Sequence, residues 1–269
     1  TDNGGSGQGG TAQLTVNAGG ALTLASAADV SAIAFGRGGH LSSGNGTGGT
    51  ASITDNGTIA ASALTTDSSG FGGGGFGQVL TTVLHGGNGL GGTSTITING
   101  VTNANDLVAR SDGTGGAAEL QSASPTITSS GDGTGGSASI IVSSGKHSWT
   151  TGTISAIGTG AADAYALGTG GAGHGGTARY TMATGSDVSI SDGTALRARG
   201  VGGAGAAVSG DATGGTAAAT VGAASNFTTA QLALDAQAFG GAATSQNISG
   251  VPVTDMGGSA TGGSASLTS

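Results

Sequence analysis

Cysteine is absent from this chain of 269 residues, so neither a disulfide nor a thiolate zinc site can brace the fold, and the redox compartment is left open. Proline occurs twice against 61 glycines, and glycine does not recur at every third position, which excludes a collagen triple helix. Only 7% of residues are charged and 3% are aromatic, too few for an ordinary globular domain. Fourteen acidic residues face six basic ones, a formal charge of −8, with Lys146 the sole lysine and Glu119 the sole glutamate. No basic stripe exists to neutralise phosphates, which excludes nucleic acid as a partner class. No apolar run of about 18 residues provides a membrane span, and no charged-plus-apolar export signal opens the chain.

What remains folds. Hydrophobic residues make up 35% of the chain, and Ile, Leu and Val alternate with Thr, Ser and Ala in short runs, unlike generic disorder. A Gly-Gly pair leads into such a run eight times: GGTAQLTV (9–16), GGTASITD (48–55), GGTSTITI (91–98), GGAAELQS (115–122), GGSASIIV (135–142), GGTARYTM (175–182), GGTAAATV (214–221) and GGSASLTS (262–269). The starts lie 39, 43, 24, 20, 40, 39 and 48 residues apart, which suggests a unit of about 20 residues, usually doubled to about 40. Residues 1–269 then form one repeat array, read as an excerpt of a longer solenoid.

Each run has a period of two, so its side chains point alternately to opposite faces of a strand. Ala12, Leu14 and Val16 mark the core face, and Thr11, Gln13 and Thr15 the outer one. Because one such strand is unstable alone, the expected architecture is an elongated all-β parallel solenoid, or β-helix. Its turns stack about 4.8 Å apart and align Leu14, Ile53, Ile96, Leu120, Ile140, Tyr180 and Leu267 in an apolar ladder. Clusters such as GNGTGG (44–49), SDGTGG (111–116) and GDGTGG (131–136) are expected at corners, where Gly, Asn and Asp tolerate positive φ. Calcium at Asp112 and Asp132 is the competing reading; the spacing departs from the calcium-binding nonapeptide GGxGxDxUx, and no cofactor is expected.

A second strand type runs through 31–38, 163–170, 195–203 and 235–241. Ala32, Ala34 and Gly36 form a small face, while Phe35, Arg37, Tyr165, Leu167, Arg197, Arg199 and Phe239 lie opposite. That outward row is either a tolerated surface or a stripe for lateral self-association. Catalysis is not expected. The histidines His40, His85, His147 and His174 fall at unrelated repeat positions, and the closeness of Asp163, Asp187, Asp192, Arg197 and Arg199 in sequence does not establish closeness in space. The acceptor sequences at Asn45, Asn56, Asn226 and Asn247 are expected from composition. An ice-binding solenoid needs a regular outward Thr-x-Thr ladder, of which Thr95/Thr97 and Thr126/Thr128 are fragments.

The units GNGTGGTASI, GDGTGGSASI and GGTAQLTVNAGGALTL resemble the long glycine-rich repeat proteins of proteobacteria described as haemagglutinin-like or autotransporter-passenger adhesins. The resemblance covers the whole chain as a style of repeat and carries no catalytic residues. It implies an exported parallel β-helix at the cell surface, with a part in attachment, aggregation or matrix formation. The expected function is therefore a structural or adhesive segment of an extracellular fibre. Like chains, and cell-surface or matrix carbohydrate, are its expected partners. A β-helical carbohydrate-binding or polysaccharide-degrading protein is the alternative.

Overall fold

The computed structural model describes residues 3–77, 83–120, 127–143, 145–163, 168–243, 246–248, 251–253 and 256–269. Among them there is no helix, and the strands pair in parallel in sheets of up to ten, apart from one antiparallel hairpin of Gln246–Ile248 with Val251–Val253. The architecture is a parallel β-solenoid. Gly7 pairs with Gly46, and the register continues through Gly89, Gly133, Gly173, Ala212 and Ala260. Successive turns therefore take 39, 43, 44, 40, 39 and 48 residues, and the hairpin lies within the longest interval.

One turn corresponds to the doubled unit, and the unit of about 20 residues is not a structural one. Ala118–Leu120, in the fourth copy of the repeat, pairs with Gly75–Gly77 rather than with the long strands. Leu120 thus stands outside the apolar ladder, and Ala219 takes the rung between Tyr180 and Leu267. Two strand-forming segments follow Gly-Gly in that turn, so a motif search counts both, although they occupy different sides of the turn.

Each turn crosses two unlike lobes. In the wider lobe a seven-stranded sheet, running from Thr11–Val16 through Thr50–Asp55, Thr93–Ile98, Ser137–Val142, Thr177–Met182 and Thr216–Val221 to Ser264–Thr268, faces the ten-stranded sheet. The alternation buries Ile53, Ile96, Ile140 and Tyr180 from one side against Leu64, Leu107, Ile154 and Leu196 from the other. Complete burial of an aliphatic side chain stabilises by roughly 1.5–3 kcal/mol, and here every turn repeats it. Along each long strand the inward residues grow from Ala51, Ala138 and Ala178 to Ile53, Ile140 and Tyr180, so the interior widens away from the Gly-Gly pair.

The narrow lobe has almost no side chains inside. Gly46–Thr47, Gly89–Leu90 and Gly133–Thr134 belong to one layer, while Gly70–Phe71, Gly113–Thr114 and Gly158–Thr159 belong to a second that packs directly on it. A Cβ at Gly133 would lie closer than 3.0 Å to the backbone oxygen, carbon and nitrogen of Thr159. Backbone amides join the layers: Gly87 donates to Gly73, Gly116 to Gly87, Gly131 to Gly116 and Ala161 to Gly131. This zigzag runs from Gly5 to Gly258 at 2.8–3.1 Å. The second glycine of each pair adds a cross-link, as Gly92 donates to Ser68, Gly136 to Ser111 and Gly176 to Ala156.

The glycine clusters are thus interlayer contacts rather than positive-φ corners. Among the described residues positive φ occurs only at Gly19, Gly145, Gly185 and Ala224, none of them in the clusters. Glycine is needed there for close approach.

Candidate functional site

The polar residues of the clusters point outward and tie each turn to the next. In the first layer the residue before the paired glycine is Ser6, Asn45, Asn88 and then Asp132 in successive turns. Ser6 Oγ accepts the amide of Asn45 at 3.1 Å, Asn45 Oδ1 that of Asn88 at 2.8 Å, and Asn88 Oδ1 that of Asp132 at 2.9 Å. Asp132 Oδ1 then accepts the Ala172 amide at 2.7 Å, and Asp211 Oδ1 repeats the contact with Ser259 two turns on. The second layer uses the same device, since Ser69 Oγ accepts the Asp112 amide and Asp112 Oδ1 accepts both the Ile157 amide and the Ser155 hydroxyl. Asp112 and Asp132 sit on different layers, each engaged by the following turn. Among the described residues no three His, Cys, Asp or Glu side chains converge on a cation position. The sequence signal for this ladder was the recurrent Asn or Asp ahead of Gly-Thr-Gly-Gly.

Burial raises the Asp112 carboxyl above its ordinary 3.8, against the lowering effect of its bonds from Ser155 and Ile157 and of Arg110 nearby. The folded state therefore holds this proton more tightly than the unfolded chain. Stability from Asp112 is complete below pH 3.8 and is lost as pH rises through the raised value. Asp112→Asn keeps the accepting oxygen and removes the charge, as Asn88 does in the other layer. In urea unfolding followed from pH 3.5 to 7, this variant should gain stability relative to the parent as pH rises, whereas Asp112→Ala should lose about 1–3 kcal/mol at acid pH. Stability of the Asn variant relative to the parent that stays flat or falls with rising pH would refute the assignment. Asp211 has the opposite sign: its bonds from Ser259 hold it low, so its contribution is lost as pH falls through its folded value.

The outward face of the second layer carries Phe35 and Phe239 of the expected association row. Phe35 and Phe71, on adjacent turns, stack with centroids 5.0 Å apart, and the column continues through Thr114, Thr159 and Val201 to Phe239. Phe35 is 65% exposed and Phe239 48%. In the turn between Thr114 and Val201, Gly158–Thr159 holds the place in this column. Tyr165 and Leu167 lie outside the described residues. Arg37 is exposed one step beyond Gly36, in the part of the turn that Gly73 and Gly116 fill further along the zigzag.

The arginines lean on their own chain. Arg199 pairs with Asp235 of the next turn, and Arg110 lies between Asp67 at 4.0 Å and Asp112 at 3.7 Å. Arg197 is exposed beside the same Asp235; burial raises that carboxyl, and the bond from Arg199 with the charges of both arginines more than offsets this, holding it low. No family model, curated protein or solved structure matches the chain.

The acid and arginine cluster considered for catalysis disperses. Asp187 pairs with Lys146 at 3.4 Å at one end of the strand Asp187–Arg197, while Arg197 occupies the other end and Asp192 is exposed between them. Asp163 is buried against Gly168 in a separate corner. His40, His85 and His174 are exposed on different parts of the turn, and His147 is buried beneath the ten-stranded sheet.

Stacking also assembles a face that single repeats conceal. Outward on the long sheet, one column reads Thr11, Thr50, Thr93, Ser137, Thr177, Thr216 and Ser264. Four residues along each strand a second reads Thr15, Thr54, Thr97, Ile141, Thr181, Thr220 and Thr268.

Proposed function

We propose that this chain is a structural and adhesive segment of an extracellular bacterial surface fibre that works by repetition. The supporting observation is the unbroken register of the outward columns, which presents like surfaces turn after turn along one axis. A contact of about 1 kcal/mol per turn becomes strong when two such arrays align, since later contacts form intramolecularly. The Phe35, Phe71 and Phe239 column supplies apolar area for lateral bundling. The charged columns beside it are largely paired within the chain, and exposed pairs of this kind contribute about 0–1 kcal/mol each.

The test replaces Phe35, Phe71 and Phe239 together by Ser and follows bundling by light scattering and electron microscopy. Bundles should disappear, with at least a tenfold fall in scattering, while the β circular dichroism is retained. Unchanged bundling by a folded variant would move association to another face.

A further inference from the structure

We infer that the outer face of the long sheet is an ice-binding surface, a function beyond the fibre reading. Three outward columns cross seven strands there, and 17 of the 21 positions carry a Thr or Ser hydroxyl. Thr-x-Thr within a strand of this sheet is confined to Thr93, Thr95 and Thr97 of one turn. The regular element is instead a pair of columns four residues apart, and the middle column, with Gln13, Ser52, Thr95, Ser139, Arg179 and Ala218, is the variable one.

Three properties point to ordered water rather than to a protein or a sugar. First, the chain bears −8 overall, yet this face carries a single charge, Arg179. A strongly hydrated charge would orient water around itself, and nearly all charges are excluded here. Second, no aromatic ring points outward on these strands; Tyr180, the only aromatic residue among them, is 1% exposed and faces the core. A polysaccharide face would be expected to offer rings for stacking and forked polar groups for sugar hydroxyls. Third, the array is stiff and regular. The pairing runs through all seven strands without a register shift, in contrast to the ten-stranded sheet, which is irregular between Trp149 and Thr151. Inward residues of the four strands from Thr50–Asp55 to Thr177–Met182 are buried in the core, and β-branching restricts each threonine at χ1.

The spacing suits the ligand. Strands in a sheet repeat about every 4.8 Å. Water oxygens about 2.75 Å apart in tetrahedral array place second neighbours at about 4.5 Å, within a few tenths of an ångström of that repeat. Hydroxyls held at this interval can anchor a row of waters in lattice positions, with the threonine methyl groups confining them. Seven turns add weak contacts in one plane, the multiplicity that adsorption to a crystal face requires.

The experiment measures thermal hysteresis and partition of the whole chain into a slowly growing ice front, with microcrystalline cellulose and chitin as comparison solids. The parent should enter the ice. Thr54→Lys combined with Thr97→Lys, which places two charges mid-column, should reduce partition at least tenfold with β circular dichroism unchanged. Ile141→Thr, which fills the gap in its column, should raise hysteresis. The Phe35, Phe71 and Phe239 serine variant should keep ice partition while losing bundles, so failure of the fibre reading and failure of this one are separable. Rejection of the folded parent from ice, full partition of the double lysine variant, or adsorption to cellulose or chitin without adsorption to ice would each overturn the inference.

Discussion

Gly133→Val should be among the most damaging single substitutions in this chain, with a loss of about 3 kcal/mol or more in urea or thermal unfolding. The reason is steric and local. The new Cβ would fall closer than 3.0 Å to three backbone atoms of Thr159, and those atoms belong to a parallel strand paired with Gly113 and Gly200 on its two sides. Backbone fixed on both sides cannot rotate away as a flexible side chain would. Separating the layers would also stretch the zigzag at Gly131, whose carbonyl accepts from Ala161 and whose amide donates to Gly116. Gly10→Ala is the matched control, because a Cβ there meets nothing within 4 Å and no positive φ is involved. It should unfold within about 0.5 kcal/mol of the parent. Equal destabilisation by the two variants would show that the cost at Gly133 does not come from contact between the layers.

This contrast marks where the sequence was legible. Alternation in GGTSTITI or GGSASIIV places Ile96 and Ile140 inward from the pattern alone, because the two faces of a strand meet different solvents. The parallel stack also follows, since eight similar half-buried strands need one another. The function of the glycines was not legible. Glycine serves turns, bulges and close packing alike, and only the partner opposite decides among them; for Gly133 that partner is Thr159, 26 positions away in a strand of weak pattern. The length of a turn was hidden for a related reason, because the segment 115–120 shares the motif and pairs elsewhere. Of the association row, the outward placement of Phe35 and Phe239 could be read from the small residues beside them. The intrachain partners of Arg110 and Arg199 could not, for they come from neighbouring turns. Asp55 was missed as well. It ends a long strand on the inward side, fully buried, and survives there because Gly57 and Thr102 donate to its two oxygens.

Asp55 sets the terms for the companion experiment, Ile140→Asp, expected to destabilise by about 4 kcal/mol or more. Both positions are inward on long strands and both are fully buried. The difference is supply of donors. Asp55 lies where the strand gives way to a turn, within reach of a backbone amide and a threonine hydroxyl. Ile140 lies mid-strand between Ile96 and Tyr180, and its own backbone groups are committed to the ladders on both sides. Even the Tyr180 hydroxyl is buried without a hydrogen-bond partner among the described residues, so this interior offers little to a carboxylate. The substituted side chain must then remain charged and unpaired, bind a proton at a cost that grows with pH, or force the strands apart. Each turn holds its neighbours, so the loss should spread along the array instead of stopping at one rung. Ile141, the next residue, faces outward in the threonine column, and Ile141→Thr should leave unfolding within about 0.5 kcal/mol of the parent. Thermal unfolding of the two variants side by side decides the matter: if Ile140→Asp melts with the parent, or Ile141→Thr falls with it, the inward and outward assignment of the long sheet is wrong.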